Sequence, residues 1–195
     1  MRYSSDHKAA TRQHLLGSAG ALAKEKGYGT TGVDALMSAA GLTAGAFYAH
    51  FGSKAGMLEA LIAHEMSASL RSFDLHAAES FAVAVEAYLS PAHVEHPERG
   101  CVVPALAAEV ARAEAPVRET FERHLLQMKD RYAAQVGGDG PAWVILAQLV
   151  GAVLLARAMQ SSAAREALLD GVRSSILGAA GRQSARPKAR TRRKV

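Results

Sequence analysis

The sequence has one cysteine, six prolines, few aromatic residues and no long uninterrupted apolar run. Because Cys101 is alone, an internal disulfide framework is excluded and a reducing compartment is expected. The N-terminal segment MRYSSDHKAATRQ lacks the apolar region of a secretory signal. The longest apolar stretch, residues 142–156, is interrupted by Gln148 and falls short of the ~20 residues of a bilayer span. We therefore expect a cytoplasmic protein with no membrane partner.

Sequence motifs typical of an enzyme or a metal site are also missing. We find no G-x-S-x-G nucleophile elbow and no H-E-x-x-H metal motif. His93, His96 and Cys101 offer metal-binding atoms, but their spacing is irregular and no fourth ligand lies nearby in the sequence. We therefore expect no catalytic residues, no metal site and no cofactor.

Positive charge is concentrated at the two ends of the chain. Residues 1–56 carry six Lys/Arg and three Asp/Glu, residues 57–178 carry ten and fifteen, and residues 179–195 carry seven and none. Basic terminal segments attract polyanions, usually nucleic acid or an anionic membrane. The tail AAGRQSARPKARTRRKV has no large apolar residue before Val195, so we expect disorder over 179–195. Such a tail either only solubilises the chain or adds affinity for nucleic acid.

About half of the residues are apolar, alanine above all, and they recur at spacings of three and four, which predicts an all-α chain. The first helix is expected over residues 9–26, where Gly27 favours a left-handed C-cap. Two short helices follow, and a long helix starts near Lys54. Their predicted N-caps are Thr31 (with Asp34 completing a capping box), Thr43 and Ser53.

Two short helices joined by a turn at Gly41–Leu42 form either a helix-turn-helix or an ordinary αα-hairpin. The residues of the second helix favour the first interpretation. Small residues at its start, Ala44 to Ala46, allow its N-terminus to approach a surface closely. Phe47 and Phe51, four apart, share a face that anchors the helix, while the donors Tyr48, His50 and Lys54 remain for phosphate oxygens.

The stretch TTGVDALMSAAGLTAGAFYAHFGSKAGML resembles the DNA-binding segment of the TetR family of bacterial transcriptional regulators. The similarity covers roughly residues 10–62, and its specificity comes from several positions that agree together: Gly41, Gly45, Tyr48, His50, Phe51, Ser53 and Lys54. It implies an all-α homodimer with a three-helix DNA-binding domain and a larger helical domain that binds a small ligand and dimerises.

The resemblance also implies roles for individual residues. Phosphate contacts are expected from Thr31, Tyr48, His50 and Lys54. Thr43, Ala44 and Gly45 are expected nearest the bases. Position 44 is often polar or charged in relatives, so Ala44 shifts base reading there towards thymine-methyl contacts and DNA shape.

The long helix that starts near Lys54 is expected over 54–74. Five further helices are predicted, over 77–90, 98–112, 116–136, 141–160 and 163–178. Aromatic and methionine side chains at helical spacing are usually core residues, but ligand sensing requires a cavity. We expect the cavity near Phe81, Tyr88, Phe121 and Trp143. Small residues in the last two helices favour close helix contact, either between subunits in a four-helix interface or only within one chain.

Cys101 follows Gly100 at a predicted helix start, where the helix dipole and the Arg99 charge would lower a thiol pKa. The segment RGC…PALAAEVA resembles a subgroup of TetR-like repressors in which a cysteine near this place senses electrophiles or oxidants. The alternative is that Cys101 is a buried packing residue.

The sequence thus predicts three regions: a DNA-binding domain over 1–53, a ligand-binding and dimerisation domain over 54–178, and a basic tail over 179–195. The expected function is a non-enzymatic transcriptional regulator, a repressor released from a palindromic operator by a small-molecule effector, electrophile or oxidant included. The alternative is a protein that binds nucleic acid non-specifically through its basic tail.

Overall fold

The computed structural model describes residues 5–184. Ten α-helices and a short 3₁₀ turn (Pro97–Arg99) make up this part of the chain, and no strand occurs in it. The helices are α1 (Ser5–Lys26), α2 (Val33–Ser38), α3 (Ala44–Phe51), α4 (Lys54–Ala77), α5 (Phe81–Tyr88), α6 (Pro91–Glu95), α7 (Val103–Val110), α8 (Ala115–Val136), α9 (Asp139–Ala158) and α10 (Ser162–Ser184). The predicted all-α fold is confirmed.

The first three helices enclose one apolar cluster that α4 completes. Its fully buried members include Leu15, Leu16, Leu36, Met37, Phe47 and Met57. Gly27 has φ +83° directly after α1, as predicted for a left-handed cap, and Gly41 has φ +69° between α2 and α3. This arrangement fixes α3 against α1 and α2 by its inner face only.

The N-caps of the short helices were predicted with mixed success. Thr43 precedes α3 and Ser53 precedes α4, where its hydroxyl accepts a hydrogen bond from the Gly56 N–H at 3.0 Å. The prediction for α2 was wrong, because its N-cap is Gly32 and no side chain caps it. Thr31 instead donates its hydroxyl to the Gly27 carbonyl at 2.5 Å, which stabilises the turn after α1.

The predicted helix over 98–112 is also corrected. The 3₁₀ turn ends at Arg99 and α7 begins only at Val103, so residues 98–112 do not form one helix. Pro97 starts the 3₁₀ turn and Pro104 lies in the first turn of α7, where a missing N–H costs no helical hydrogen bond. Cys101 therefore lies before α7, whose N-cap is Val102, and not at a helix start.

The larger part of the molecule is built on four long helices. α4 packs along α8, and α9 packs between α8 and α10. Among the described residues, α9 is the one helix long and apolar enough to cross a membrane. It nevertheless buries a face within the molecule, formed by Ala142, Ile145, Leu146, Leu149, Ala152, Val153 and Ala156. That is the behaviour expected of a core helix.

The last helix is longer than predicted. α10 continues to Ser184, so the expected disorder does not begin at residue 179. The rest of the predicted basic tail, residues 185–195, lies outside the described residues.

Candidate DNA-binding surface and ligand cavity

The two adjacent aromatic residues at the centre of α3 lie on different faces of the helix. Phe47 is 1% exposed and lies in the core, whereas Tyr48 is 72% exposed. Their rings meet edge to face with centroids 5.2 Å apart. The buried ring therefore anchors the helix and orients its exposed neighbour, whose hydroxyl has no partner among the described residues. The buried position of Phe47 and the exposed position of Tyr48 are as predicted from the sequence, and phosphate binding by Tyr48 stays a prediction.

The C-terminal end of α3 carries a second aromatic group. Phe51 lies 6.0 Å from Phe47 by ring centroids, and the Arg12 guanidinium of α1 sits 5.2 Å from the Phe51 ring centroid. His50 is half-buried against Phe51, and its Nδ1 atom is buried with no hydrogen-bond partner in the described part of the chain. His50 thus keeps its ring nitrogens free of internal bonds.

Two predicted phosphate donors are already engaged inside the protein. Thr31 is 6% exposed and its hydroxyl proton goes to Gly27. The Lys54 ammonium donates to the Gly29 carbonyl at 3.2 Å and to the Thr31 carbonyl at 2.9 Å. An ammonium has three N–H donors, so Lys54 keeps one for a further partner, while the Thr31 hydroxyl keeps only acceptor capacity.

The residues predicted nearest the bases lie at the start of α3. Thr43 is exposed and its hydroxyl does not cap the helix, so it remains available. Gly45 is exposed, and the nearest atom to a Cβ added there would be the Thr43 hydroxyl at 3.9 Å. Ala44 begins the helix backbone between them; its side chain is outside what is described. The first turn of α3 therefore presents a small, open edge.

A cavity of about 540 Å³ lies where α1 meets the larger domain. Its walls come from α1, α4, α5, α6, the 3₁₀ turn with the residues after it, and α8. Apolar side chains supply much of the lining, notably Phe73, Ala84, Ala87 and Met128, and polar groups are interspersed: Lys24, Glu65, Tyr88, His93, Cys101 and Tyr132. This size and mixture are typical of sites for small amphipathic molecules.

Sequence reasoning placed only part of the cavity correctly. Tyr88 and Cys101 line it, as predicted, but Phe81, Phe121 and Trp143 do not. Phe81 packs edge to face against Tyr132, with centroids 6.2 Å apart, and so supports the wall from behind. Phe121 packs half-buried on α8. Trp143 is 41% exposed on α9 because its side of that helix faces outward.

Cys101 is held in a network of buried polar groups at the cavity wall. Its N–H donates to His93 Nε2 at 2.9 Å, and His93 Nδ1 lies 2.6 Å from the Tyr88 carbonyl. The Tyr88 ring also meets the His93 ring edge to face, with centroids 4.5 Å apart. Because Nε2 accepts a hydrogen bond from the Cys101 backbone N–H, the neutral tautomer with the proton on Nδ1 fits this network.

Burial explains the ionisation of these groups. Desolvation lowers the pKa of His93 below its ordinary value of 6.5, and the nearby positive charges of Arg157 and Lys24 act in the same direction. Desolvation also raises the pKa of Tyr88 well above 10.0, with a further contribution from Cys101. The ring and the phenol are therefore both neutral at pH 7.

Sequence reasoning missed the ion pair in the cavity wall. Lys24 of α1 and Glu65 of α4 are buried, and Lys24 Nζ lies 2.6 Å from Glu65 Oε2. The same ammonium donates to the Gly100 carbonyl at 3.0 Å. Gly20 permits this approach, because a methyl group there would overlap the Glu65 carboxylate. A residue of the first helix is thus part of the cavity wall.

The fold and the site define a class of protein: a helical DNA-binding regulator with a helix-turn-helix at its N-terminus and a cavity in its larger domain. Residues 15–61 match the family model of bacterial regulatory proteins, tetR family. The N-terminal segment of this chain therefore has the sequence of a TetR-family DNA-binding domain.

Solved structures share this fold over nearly their whole length. NemR from E. coli, in its reduced form, is 20% identical, with a TM-score of 0.72 over 87% of this chain and 96% of that one. A TetR-family regulator from Cytophaga hutchinsonii is 18% identical, with a TM-score of 0.73 over 91% and 98%. A TetR-family regulator from Streptomyces coelicolor is 21% identical, with a TM-score of 0.69 over 90% and 97%. A comparison with curated protein sequences gave no match.

Proposed function

We propose that this chain is a cytoplasmic, non-enzymatic repressor that binds a pseudo-palindromic operator as a homodimer and releases it when a small molecule fills the cavity. The observation that carries the proposal is the contrast between the buried ring of Phe47 and the exposed ring of Tyr48. One ring locks α3 to the core, and the other is presented, unpartnered, beside the open first turn of the same helix. A helix held in this way is suited to enter a major groove.

The DNA contacts follow from the accessibility of the donors. Tyr48 and His50 are free to meet phosphates, Lys54 has one donor left, and Thr43, Ala44 and Gly45 lie at the edge that approaches the bases. Thr31 contributes through the turn it stabilises, since its hydroxyl proton is engaged with Gly27. The small residues of the first turn favour shape and methyl readout over a bidentate hydrogen bond.

The exposed face of α9 supports the homodimer. Four large apolar side chains of α9 are 41–58% exposed: Trp143, Val144, Leu154 and Leu155. A second copy that covers them, together with α10, would bury apolar surface and pair the two recognition helices ~34 Å apart. Leu154→Lys is expected to give a monomer at micromolar concentration by analytical ultracentrifugation. Leu75→Lys, at a residue of α4 that is 71% exposed, is the control and is expected to remain a dimer.

The cavity supports an effector with an apolar body and polar groups. Filling it would press on α4 and on Lys24, and both connect directly to the DNA-binding helices. By linkage, DNA must then weaken effector binding by the same factor as the effector weakens DNA binding, typically ~5 to 150-fold.

A specific observation favours an electrophile or oxidant as the effector class. The single thiol of the chain, Cys101, lines the cavity beside Tyr88 and His93. A bulky or polar adduct there would occupy the cavity directly. The folded protein is therefore expected to react with N-ethylmaleimide without denaturant. A thiol that reacts only after unfolding would return Cys101 to the role of a packing residue.

The proposed DNA recognition is tested by selecting bound duplexes from a random pool with the purified protein. A site with dyad symmetry is the expected result. The alternative, non-specific binding through the basic tail, predicts no common sequence and a loss of all binding when residues 185–195 are deleted. Under the proposal, that deletion lowers affinity at low salt and leaves the selected sequence unchanged.

A further inference from the structure

Glu109, on α7 of the larger domain, reaches across to the turn between α1 and α2. One carboxylate oxygen, Oε1, accepts the Tyr28 N–H at 3.0 Å, and Oε2 accepts the Gly29 N–H at 2.5 Å. Two successive backbone N–H groups that converge on an anion form a stable cradle for it. The contact joins residues about 80 positions apart in the chain.

The turn is shaped to admit this carboxylate. Gly27 has φ +83°, and a Cβ at this residue would lie 3.1 Å from Glu109 Oε1. A Cβ at Gly29 would lie 3.1 Å from Oε2. Both distances are tighter than ordinary carbon–oxygen contact. The glycines on either side of Tyr28 therefore leave the space in which Glu109 binds.

The same turn also holds the start of α4. The Gly29 and Thr31 carbonyls accept the Lys54 ammonium, and the Tyr28 hydroxyl donates to the Lys54 carbonyl at 2.5 Å. The ammonium also lies 5.3 Å from the centre of the Tyr28 ring. Only Gly52 and Ser53 separate Lys54 from α3. The orientation of the turn is thus linked directly to the recognition helix and to a residue expected near phosphate.

From this geometry we infer that Glu109 is a positioning residue for DNA binding, although it lies outside the DNA-binding domain. Its carboxylate fixes the turn of residues 27–31, and the turn fixes Lys54 and the end of α3. The sign of its effect is diagnostic. Removing a negative charge from a DNA-binding protein by itself strengthens attraction to phosphate, whereas loss of a positioning contact weakens binding.

The test compares two substitutions that remove the same charge. Glu109→Gln keeps the size of the side chain but places an amide NH₂ against one of the two backbone N–H groups. Glu114→Gln is the matched control, because Glu114 is exposed before α8 and makes no capping bond. Affinity for a mixed-sequence duplex is expected to fall about tenfold in Glu109→Gln, the effect of one charge-assisted hydrogen bond. The control is expected to bind as the wild type does or slightly more tightly.

A second variant breaks the contact from the other side and keeps the charge. Gly29→Ala is expected to displace the carboxylate and to weaken DNA binding, and the double variant should be no weaker than Glu109→Gln alone. Amide hydrogen exchange is expected to accelerate at Tyr28 and Gly29 in both single variants while the core of α4 stays protected. If Glu109→Gln fails to fold, Gly29→Ala decides. The inference is overturned if Glu109→Gln, or Gly29→Ala where Glu109→Gln does not fold, binds DNA as tightly as Glu114→Gln does.

Discussion

The DNA-facing surface and the cavity satisfy their polar groups in opposite ways. On α3, the Tyr48 hydroxyl is exposed and unpartnered among the described residues, and the Thr43 hydroxyl is exposed and caps nothing. In the cavity wall, His93 is hydrogen-bonded to the backbone of both Tyr88 and Cys101, and Lys24 is bonded to Glu65. The exposed hydroxyls of α3 are available for hydrogen bonds to a partner, whereas the polar groups of the cavity wall are bonded within the protein.

This difference indicates how the two sites act. Free donors on a rigid helix meet phosphates without breaking internal bonds. A molecule entering the cavity, by contrast, must adapt to or replace an existing network, and that network includes a residue of α1. A rearrangement of the cavity that moves Lys24 would therefore act on α1, and by linkage DNA binding would act on the cavity in return.

The largest effect is expected where a buried polar pair is broken. Lys24→Met leaves the Glu65 carboxylate buried without its partner and should lower the free energy of unfolding by about 3–5 kcal/mol in urea titrations. Arg131→Met is the control, because the Arg131–Asp74 pair has side chains 57% and 47% exposed. Its loss should cost less than about 1 kcal/mol. Equal losses in the two variants would refute the contrast between the regions.

A smaller effect is expected at the exposed donor. Tyr48→Phe removes only the hydroxyl and should weaken binding to all duplexes alike by about fivefold, since one neutral hydrogen bond is worth ~1 kcal/mol. Tyr88→Phe removes a buried hydroxyl in the cavity and should leave DNA affinity unchanged without effector. Fluorescence anisotropy with labelled duplexes measures both. A loss in Tyr88→Phe but none in Tyr48→Phe would reverse the assignment of the two surfaces.

The smallest effect concerns pH. Because burial lowers the pKa of His93, the native state binds fewer protons than the unfolded chain below the ordinary value of 6.5. The stability due to neutral His93 is present above that value and is lost as pH falls towards the folded-state pKa. The unfolding free energy of His93→Gln should therefore decline less steeply than that of the wild type between pH 7 and pH 5. Parallel pH dependences of the unfolding free energy in the two proteins would contradict a stabilising role for neutral His93.

The sequence was sufficient to separate the buried and exposed sides of α3, because the residues of this helix are contiguous. Helical periodicity alone separates Phe47 from Tyr48, and local turn residues define the ends of α3 and the start of α4. The sequence does not predict the internal hydrogen bonds of Thr31 and Lys54. Their acceptors lie in a turn whose shape cannot be inferred from residue spacing.

The cavity could not be assembled from sequence in the same way. Its wall joins helices distant along the chain, so that Lys24 meets Glu65 across 41 positions and Gly100 across 76. Helical spacing of aromatic residues predicts that Trp143 lines the cavity, but its side chain faces outward. Nothing in the local pattern distinguishes the inner side of α5 from the outer side of α9, since both are apolar.

The dependence of DNA binding on the state of the cavity is tested most directly by filling it covalently. Duplex affinity is measured for the wild type before and after complete modification of Cys101 by N-ethylmaleimide, with Cys101→Ser as the control. The account predicts a loss within the ~5 to 150-fold range of allosteric couplings for the modified wild type and no change for treated Cys101→Ser. Fully modified protein that binds the duplex as tightly as before would contradict it.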